Sequence, residues 1–436
     1  MNSLRNSISM TIPTTFVMSF MKRTHWIQVI GILIVTACVY ANIFANQFAV
    51  DDHVFIGAYH PNVQEAFLGV VPKGHEGVYR PVRGLFYTAY HMLWGTNPIG
   101  YHASALAVHL LSTLLVYFIC LEIARTFSLR WKWFAFVSAL AFGLHPVHTE
   151  AITYIAASMD SIGIMFFFAS FYAYLKQKTA FSVTLALAAF FTTEITLTLP
   201  FMIIFYEWVT RKLSWKRVWK YLWYVGGMAI YLGVRFFIVH VTTRGPYLAN
   251  SFYLTMVTMT KVLVEYVKVL VWPLTLVQNH IISPGIEAFV YRDYRTIAIA
   301  AQSLFDPDIL FSLMVICGLI FLMFRVRKRA PIVSLGIGWF FLSLLPVMEF
   351  IPQGSMMNER SAYISSFGWA IILAWGIASM NHRWKKGAIW CALGILAFYG
   401  VQTFSRNRDW KNDETLWQAD IRVSPNENAY AYFALG

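Results

Sequence analysis

Residues 102–122 read HASALAVHLLSTLLVYFICLE, an apolar run longer than the roughly 18 residues that mark a membrane-spanning helix. The whole chain is 58% hydrophobic and carries 16 Trp and 23 Tyr, a composition typical of helices that end at two membrane interfaces. A soluble fold is therefore excluded, and we expect an all-α integral membrane protein. About eleven crossings are predicted, at 27–45, 102–122, 133–150, 161–175, 181–193, 196–210, 221–238, 309–324, 331–349, 363–380 and 388–404.

The formal net charge of +13 is distributed unevenly between the loops. Basic residues cluster in loops such as 211–220 and 325–329. The loops predicted on the other side of the membrane carry most of the Asp and Glu. By the positive-inside rule the basic loops are cytoplasmic, so the charge reflects topology and predicts no nucleic-acid partner. Residues 1–26 are then a cytoplasmic extension, in which Met21 is an alternative start to the chain.

One helical segment does not fit this alternation of loops. Residues 253–276 (YLTMVTMTKVLVEYVKVLVWPLTL) carry Lys261, Glu265 and Lys268 at one-turn spacings on an apolar surface. A crossing here would place the basic residues 325–329 outside the cell. We therefore predict a helix that lies in the outer interface or re-enters the membrane and ends at Pro273.

The first predicted external loop, residues 46–100, begins with an acidic pair, Asp51 and Asp52. Neighbouring side chains point in different directions, so the two carboxylates are expected to have different tasks, one facing a reacting group and one supporting it. They are also candidate ligands for Mg²⁺ or Mn²⁺. The alternative is a solvated acidic turn or a helix N-cap.

Arg80 and Arg83 lie among aromatic residues later in the same loop. A guanidinium group can bind two phosphate oxygens at once, which suits an anionic head group. The alternative is that both arginines extend to the phosphates of membrane lipids.

The third predicted span ends in LHPVHTEAITYIAASMDS, which supplies His145, His148, Glu150 and Asp160. Two histidines and a carboxylate could bind zinc, but Pro146 disfavours the regular helix that would aim both rings at one ion. A hydrogen-bonded rim of a polar cavity is the alternative interpretation, and we prefer it.

Glu194 lies between two short apolar arms, 181–193 and 196–210, whose flanks are both basic. Arms of this length give only about 20 Å of helix against a hydrocarbon core of about 30 Å, so the turn is predicted to be recessed. A carboxylate at membrane depth is a functional-site candidate that usually faces a cavity or a cation. A purely structural ion pair is the alternative.

A last outer loop, residues 350–363, adds Glu359 and Arg360. Polar candidates thus come from several separate predicted outer loops. Such convergence is what a membrane-embedded active site requires.

The motifs, in this order, resemble those of membrane glycosyltransferases of the GT-C fold. The resemblance is greatest to the tetratricopeptide-repeat O-mannosyltransferases and their bacterial homologues. It covers the chain from about Asn42 onwards. It rests on VDDHVFI, YRPVRGLFY with NPIGYH, LHPVHTEAITYI with Asp160, TEITLTLP, NERSAYIS, and RNRDWKNDETLW with SPNENAYAYFALG.

The resemblance implies that residues 27–404 form a GT-C bundle with interfacial helices, and that residues 405–436 begin a tetratricopeptide repeat outside the membrane. It implies inverting transfer of a sugar, with mannose as the first guess, from a polyprenyl-phosphate carrier to a protein or glycan acceptor. Asp51 would be the catalytic base and Asp52 its support. Arg360, Arg80 and His148 are nominated to stabilise the leaving phosphate, and the other polar candidates to complete the substrate site.

The sequence departs from the family pattern at two positions. Thr193 and Met159 stand where the family usually has Lys and Arg, so other cations must hold the phosphate or the donor differs. The competing interpretations are a lipid-linked sugar flippase and an assembly subunit with a degenerate site. The expected location is the inner membrane of a bacterium or the endoplasmic reticulum, with the site on the non-cytoplasmic side and membrane lipids around it.

Overall fold

The computed structural model describes residues 14–57, 59, 61–71, 77–129, 133–241, 243–283, 286–288, 303–380 and 382–436. Residues 1–13 of the predicted extension lie outside this part of the chain. The α-helices are α1 Thr14–Tyr40, α2 Asp52–Gly57, α3 Val63–Phe67, α4 Pro81–Trp94, α5 Pro98–Thr126, α6 Phe134–Gly143, α7 Thr149–Thr153, α8 Ile155–Leu175, α9 Thr179–Phe190, α10 Leu199–Val209, α11 Val218–Gly233, α12 Phe252–Val271, α13 Pro307–Val326, α14 Pro331–Leu344, α15 Ala362–Ala378, α16 His382–Asp409, α17 Asp413–Val423 and α18 Ala429–Leu435. A small antiparallel hairpin pairs β1 Ile281–Ser283 with β2 Ile286–Glu287.

The predicted all-α membrane class is confirmed, whereas the count of eleven crossings is not. Among the described residues, seven helices are long and apolar enough to cross a membrane. They are Thr24–Ala45, Pro98–Thr126, Ile155–Leu175, Trp215–Ile238, Pro307–Val326, Glu359–Ala378 and Arg383–Asp409. Three apolar helices are shorter, Phe134–Gly143, Thr179–Phe190 and Pro331–Val347.

Helices α5, α6, α8, α14 and α15 form the centre of the bundle. Their buried faces share one hydrophobic cluster that includes Phe142, Phe168, Trp339 and Phe367. Gly336 of α14 and Gly368 of α15 allow the two backbones to touch, because a Cβ at either position would lie within 2.5 Å of the carbonyl oxygen of the other glycine. This contact packs α14 and α15 directly against each other.

Proline and asparagine set the starts of the helices that approach the site. Pro81 and Pro98 occupy the first turns of α4 and α5, where the missing N–H would have no helical partner. The Asn412 side chain caps α17 by accepting a hydrogen bond from the Thr415 N–H. The direction of each chain segment is therefore fixed by residues close to the site.

Around Glu194 the chain forms two short helices joined by a tight turn. Helix α9 ends at Phe190 and α10 begins at Leu199, with a 3₁₀ turn at Glu194–Thr198 between them. The carboxylate of Glu194 is buried at this turn.

Residues 253–276, which did not fit the predicted alternation of loops, are mostly helical. Helix α12 covers most of residues 253–276 and ends two residues before Pro273, and it is absent from the helices suited to span a membrane. Lys261 of α12 donates a hydrogen bond to the Ser283 Oγ of the hairpin at 2.8 Å. The interfacial position of α12 stays a prediction.

Candidate active site

A cavity of about 140 Å³ lies where the ends of α2, α4, α8 and α15 meet the Glu194–Thr198 turn. Its charged lining residues are Asp51, Arg80, Arg83, Asp160, Glu194, Arg244 and Arg360. Five of the ten site residues predicted from the sequence are therefore at the wall of this one cavity, although the chain supplies them from four distant segments. Mixed acidic and cationic groups in an enclosed space suit a substrate that carries both hydroxyl groups and an anionic group.

The acidic pair Asp51 and Asp52 is divided between the cavity and the protein interior. Asp51 is half-buried, lines the cavity and lies beside Tyr154. Asp52 is buried, and its carboxylate accepts hydrogen bonds from the N–H groups of Ala156 at 2.6 Å and Ala49 at 3.1 Å. Burial raises the pKa of Asp52 to about 8. Asp51 is thus the carboxylate available to a ligand, while Asp52 ties the loop to the start of α8.

Arg80 connects two of the predicted acidic residues. Its Nε donates to Glu194 Oε2 at 2.6 Å, and its Nη1 donates to Asp160 Oδ1 at 3.1 Å. Arg83, one turn along α4, donates to the same Asp160 oxygen at 2.9 Å. The predicted recessed carboxylate and the aspartate after the histidine motif therefore belong to one ionic cluster.

Arg235 is a member of this cluster that was not predicted. It is buried at the end of the segment that contains α11, and its guanidinium pairs with the second carboxylate oxygen of Glu194. A signal was present, because Arg235 is the one charged residue in the predicted span 221–238 and an arginine at membrane depth needs a partner. Three guanidinium groups, those of Arg80, Arg83 and Arg235, thus share two carboxylates.

Glu359 and Arg360 are adjacent but face opposite sides. The Arg360 guanidinium lines the cavity and pairs with Glu150, which also accepts the Arg360 backbone N–H at 2.8 Å. The Glu359 carboxylate instead accepts the Val277 N–H at 2.6 Å and lies 3.3 Å from His280 Nε2, away from the cavity lining. Glu150 and Glu359 therefore make structural contacts on the side of the wall that faces away from the cavity.

The two histidines are buried between helices. His148 Nε2 is 2.7 Å from Ser366 Oγ, and its ring stacks on Tyr363 with the ring centroids 4.2 Å apart. His145 Nε2 is 2.9 Å from the Leu270 carbonyl oxygen. Neither histidine lines the cavity, so His148 is not placed to contact a phosphate bound there.

Three metal-ligating side chains do not come together anywhere in the described ranges. The zinc site considered for His145 and His148 has no third His, Cys, Asp or Glu ligand there. Both oxygens of Asp52 already accept backbone N–H groups, which leaves Asp51 as the member of the acidic pair with capacity for a cation.

Arg244 differs from the other cavity arginines. It lies in the loop between α11 and α12, and its Cα and Cγ pass so close to Gly77 that a Cβ there would be about 3.0 Å away. Its backbone N–H donates to the Pro352 carbonyl at 3.1 Å. In the described part of the chain, no Asp or Glu forms an ion pair with its guanidinium, which faces the cavity.

Comparison with known proteins finds relatives along most of the chain. A protein O-mannosyl-transferase of Caenorhabditis elegans is 23% identical over 82% of this chain and 50% of its own length. Human protein O-mannosyl-transferase TMTC3 is 23% identical over 90% of this chain and 47% of its own length. The resemblance to protein O-mannosyl-transferases is confirmed.

A Drosophila melanogaster protein of the same description is 22% identical over 82% of this chain and 46% of its own length. The chain thus spans about half the length of these curated relatives. No protein-family model matches the sequence, and no solved structure matches it.

Proposed function

We propose that the protein is a glycosyltransferase that moves a sugar, taken to be mannose, from a polyprenyl-phosphate donor to a hydroxyl group of a protein acceptor. The observation that carries the proposal is one cavity that holds an available carboxylate, Asp51, together with the guanidinium of Arg244, for which the described residues supply no carboxylate partner. The names of the relatives support the sugar and the acceptor class. The donor, the acceptor and the mechanism are all part of the proposal, because the chain spans only about half the length of each relative.

Asp51 is the general base in this mechanism. The acceptor hydroxyl oxygen attacks the anomeric carbon, and its proton passes to the Asp51 carboxylate as the new C–O bond forms. The bond from the anomeric carbon to the phosphate oxygen breaks, and its electron pair stays on the phosphate. The products are a glycosylated acceptor, polyprenyl phosphate and a proton that Asp51 releases to water. Attack opposite the leaving phosphate inverts the anomeric centre.

The cations of the cavity are suited to the leaving phosphate. A phosphodiester donor carries one negative charge, and the departing phosphate monoester gains a second as the bond breaks. The cluster of Arg80, Arg83 and Arg235 with Asp160 and Glu194 has one excess positive charge, and Arg244 adds another. Fixed cations aimed at developing charge stabilise a transition state more than the ground state. These arginines supply positive charge to a site in which Thr193 and Met159 stand where the family usually has Lys and Arg.

The cavity is proposed to open on the non-cytoplasmic side of a bacterial inner membrane or of the endoplasmic reticulum. The concentration of Lys and Arg in the loops 211–220 and 325–329 supports this orientation. Membrane lipids and the lipid-linked donor then approach from the bilayer. Asp51 is also the site at which a Mg²⁺ or Mn²⁺ ion would act.

The test uses purified protein in liposomes with radiolabelled polyprenyl-phosphate mannose and an acceptor peptide. We expect transfer from this donor, none from a nucleotide mannose, and a loss of about a thousandfold in Asp51→Asn, in the range of general-base catalysis. Glu427→Gln, which removes an exposed carboxylate far along the chain, is the control and retains wild-type transfer. Wild-type transfer by Asp51→Asn would overturn the proposal. Transfer that survives EDTA supports a metal-free reaction.

A further inference from the structure

The end of α16 and the residues that follow it hold the loop that precedes Asp51. The Asn46 side-chain amide donates to the Asn407 carbonyl at 2.8 Å, and the Gln47 N–H donates to the Lys411 carbonyl at 2.9 Å. The Val50 N–H donates to Asp413 Oδ1 at 2.6 Å. Residues 46–50 are thus fastened at three points to a part of the chain that lies more than 350 residues later.

Val50 has a backbone conformation that needs such support. Its φ is +53°, in the left-handed region that a β-branched residue rarely adopts. The Asp413 carboxylate accepts the Val50 N–H with one oxygen, and its other oxygen lies 3.0 Å from His53 Nε2. One carboxylate therefore contacts the chain on both sides of Asp51.

Two residues next to Asp51, Asp52 and Tyr154, make further contacts that fix its surroundings. Directly after Asp51, the buried Asp52 accepts the Ala156 N–H and fixes the loop to α8. Tyr154, which lies beside Asp51, stacks on Trp410 with ring centroids 5.2 Å apart and an interplanar angle of 16°. The same late segment thus supports both the backbone of the acidic loop and the ring next to the carboxylate.

We infer that Asp413 is a positioning residue that fixes the carboxylate of Asp51 for proton transfer. The inference rests on the proposed function, in which Asp51 is the base. A carboxylate displaced by about 1 Å from its reacting position can cost a hundredfold in rate. The first residue of α17 is in this way joined to the catalytic loop, so the segment 405–436 contributes to the site without lining the cavity.

The experiment compares Asp413→Ala, Asp413→Asn and Glu414→Ala in the full chain. Glu414 is the matched control, because it lies in the same first turn of α17 and contacts Gln418 rather than the loop. In the mannose-transfer assay, kcat should fall roughly tenfold to a hundredfold in Asp413→Ala while KM for the donor stays within about twofold. Asp413→Asn keeps an oxygen for the Val50 N–H and should recover most of kcat, and Glu414→Ala should match the wild type.

Hydrogen–deuterium exchange of the peptide 46–55 is measured on the same samples and needs no activity. Faster exchange of this peptide in Asp413→Ala, but not in Glu414→Ala, is the expected result. Unchanged exchange overturns the inference, and so does faster exchange with wild-type kcat. If instead Asp51→Asn keeps full transfer, the proposed function fails, while the exchange experiment still decides whether Asp413 holds the loop.

Discussion

The cavity wall and the layer directly behind it, called the inner layer below, both carry polar side chains but differ in how far those side chains are already hydrogen-bonded. At the wall, Asp51 and Arg244 keep hydrogen-bonding capacity for a ligand. Behind it, Asp52 is saturated by backbone N–H groups and His148 is enclosed by Ser366 and Tyr363. The comparison indicates that residue type alone does not decide the role of a polar side chain. A side chain whose hydrogen-bonding groups are already engaged holds the structure, whereas one that keeps capacity can act on a ligand.

Neighbours in sequence illustrate this division twice. Asp51 faces the cavity and Asp52 the interior, and Arg360 faces the cavity while Glu359 accepts the Val277 N–H behind it. Variants of polar residues that are already paired should change stability first, and variants of Asp51 and Arg244 should change transfer first.

The largest expected stability effect comes from Glu194→Gln. This change leaves the buried Arg235 without its carboxylate, and breaking one partner of a buried ion pair costs about 3–5 kcal/mol. A marked fall in the melting temperature, measured in detergent, is expected together with loss of transfer. Glu122→Gln, which removes a carboxylate paired with the more exposed Arg125 and Lys176, should change stability by at most about 1 kcal/mol. Equal losses in both variants would contradict the role of the cluster.

Arg244→Gln tests the arginine of the cavity wall that forms no ion pair within the described ranges. A hydrogen bond to a charged group contributes about 1.5–3 kcal/mol, so kcat/KM for the lipid donor should fall roughly tenfold to a hundredfold. The melting temperature should stay at the wild-type value because no buried partner is lost. Arg422→Gln, an exposed arginine of α17, is the control. An unchanged kcat/KM in Arg244→Gln would remove Arg244 from the donor site.

Ser366→Ala tests whether His148 belongs to the inner layer. The hydrogen bond between Ser366 Oγ and His148 Nε2 is lost, which costs about 1 kcal/mol and lowers the melting temperature by a few degrees. The donor KM is expected to remain unchanged. A raised donor KM at wild-type stability would return His148 to the phosphate site suggested by the sequence.

A further prediction is a dependence of stability on pH that comes from Asp52. Because its pKa is about 8 in the folded protein and about 3.9 when unfolded, the folded protein keeps a proton that the unfolded chain has released between these values. The resulting stabilisation is complete below pH 4 and is lost as the pH rises towards 8. The melting temperature of the wild type should therefore fall by a few degrees relative to that of Asp52→Asn from pH 5 to 8, with no further change above pH 8. A constant difference would contradict the raised pKa.

Hydrophobic runs predicted the class of fold because a membrane imposes one length and one composition on every crossing. They did not give the number of crossings. Segments such as 134–143 and 179–190 form apolar helices of only 10 and 12 residues, and a hydropathy pattern does not tell short helices from full spans.

For the site, the sequence predicted Asp51, Arg80, Asp160, the recessed Glu194 and Arg360, all of which line one cavity. It did not predict which of them are already paired, because the partners come from distant segments. Arg235 and Glu194 are 41 residues apart, and Asp413 meets Val50 across 363 residues. Local spacing carries no information about such contacts.

The most direct test of the account compares Asp51→Asn and Asp52→Asn in one series of preparations, with the rate of mannose transfer and the melting temperature measured on each. Asp51→Asn is expected to lose transfer about a thousandfold at the wild-type melting temperature. Asp52→Asn is expected to melt at a different temperature and to retain measurable transfer. Full transfer by Asp51→Asn, or an equal loss in both variants without a change in stability, would contradict it.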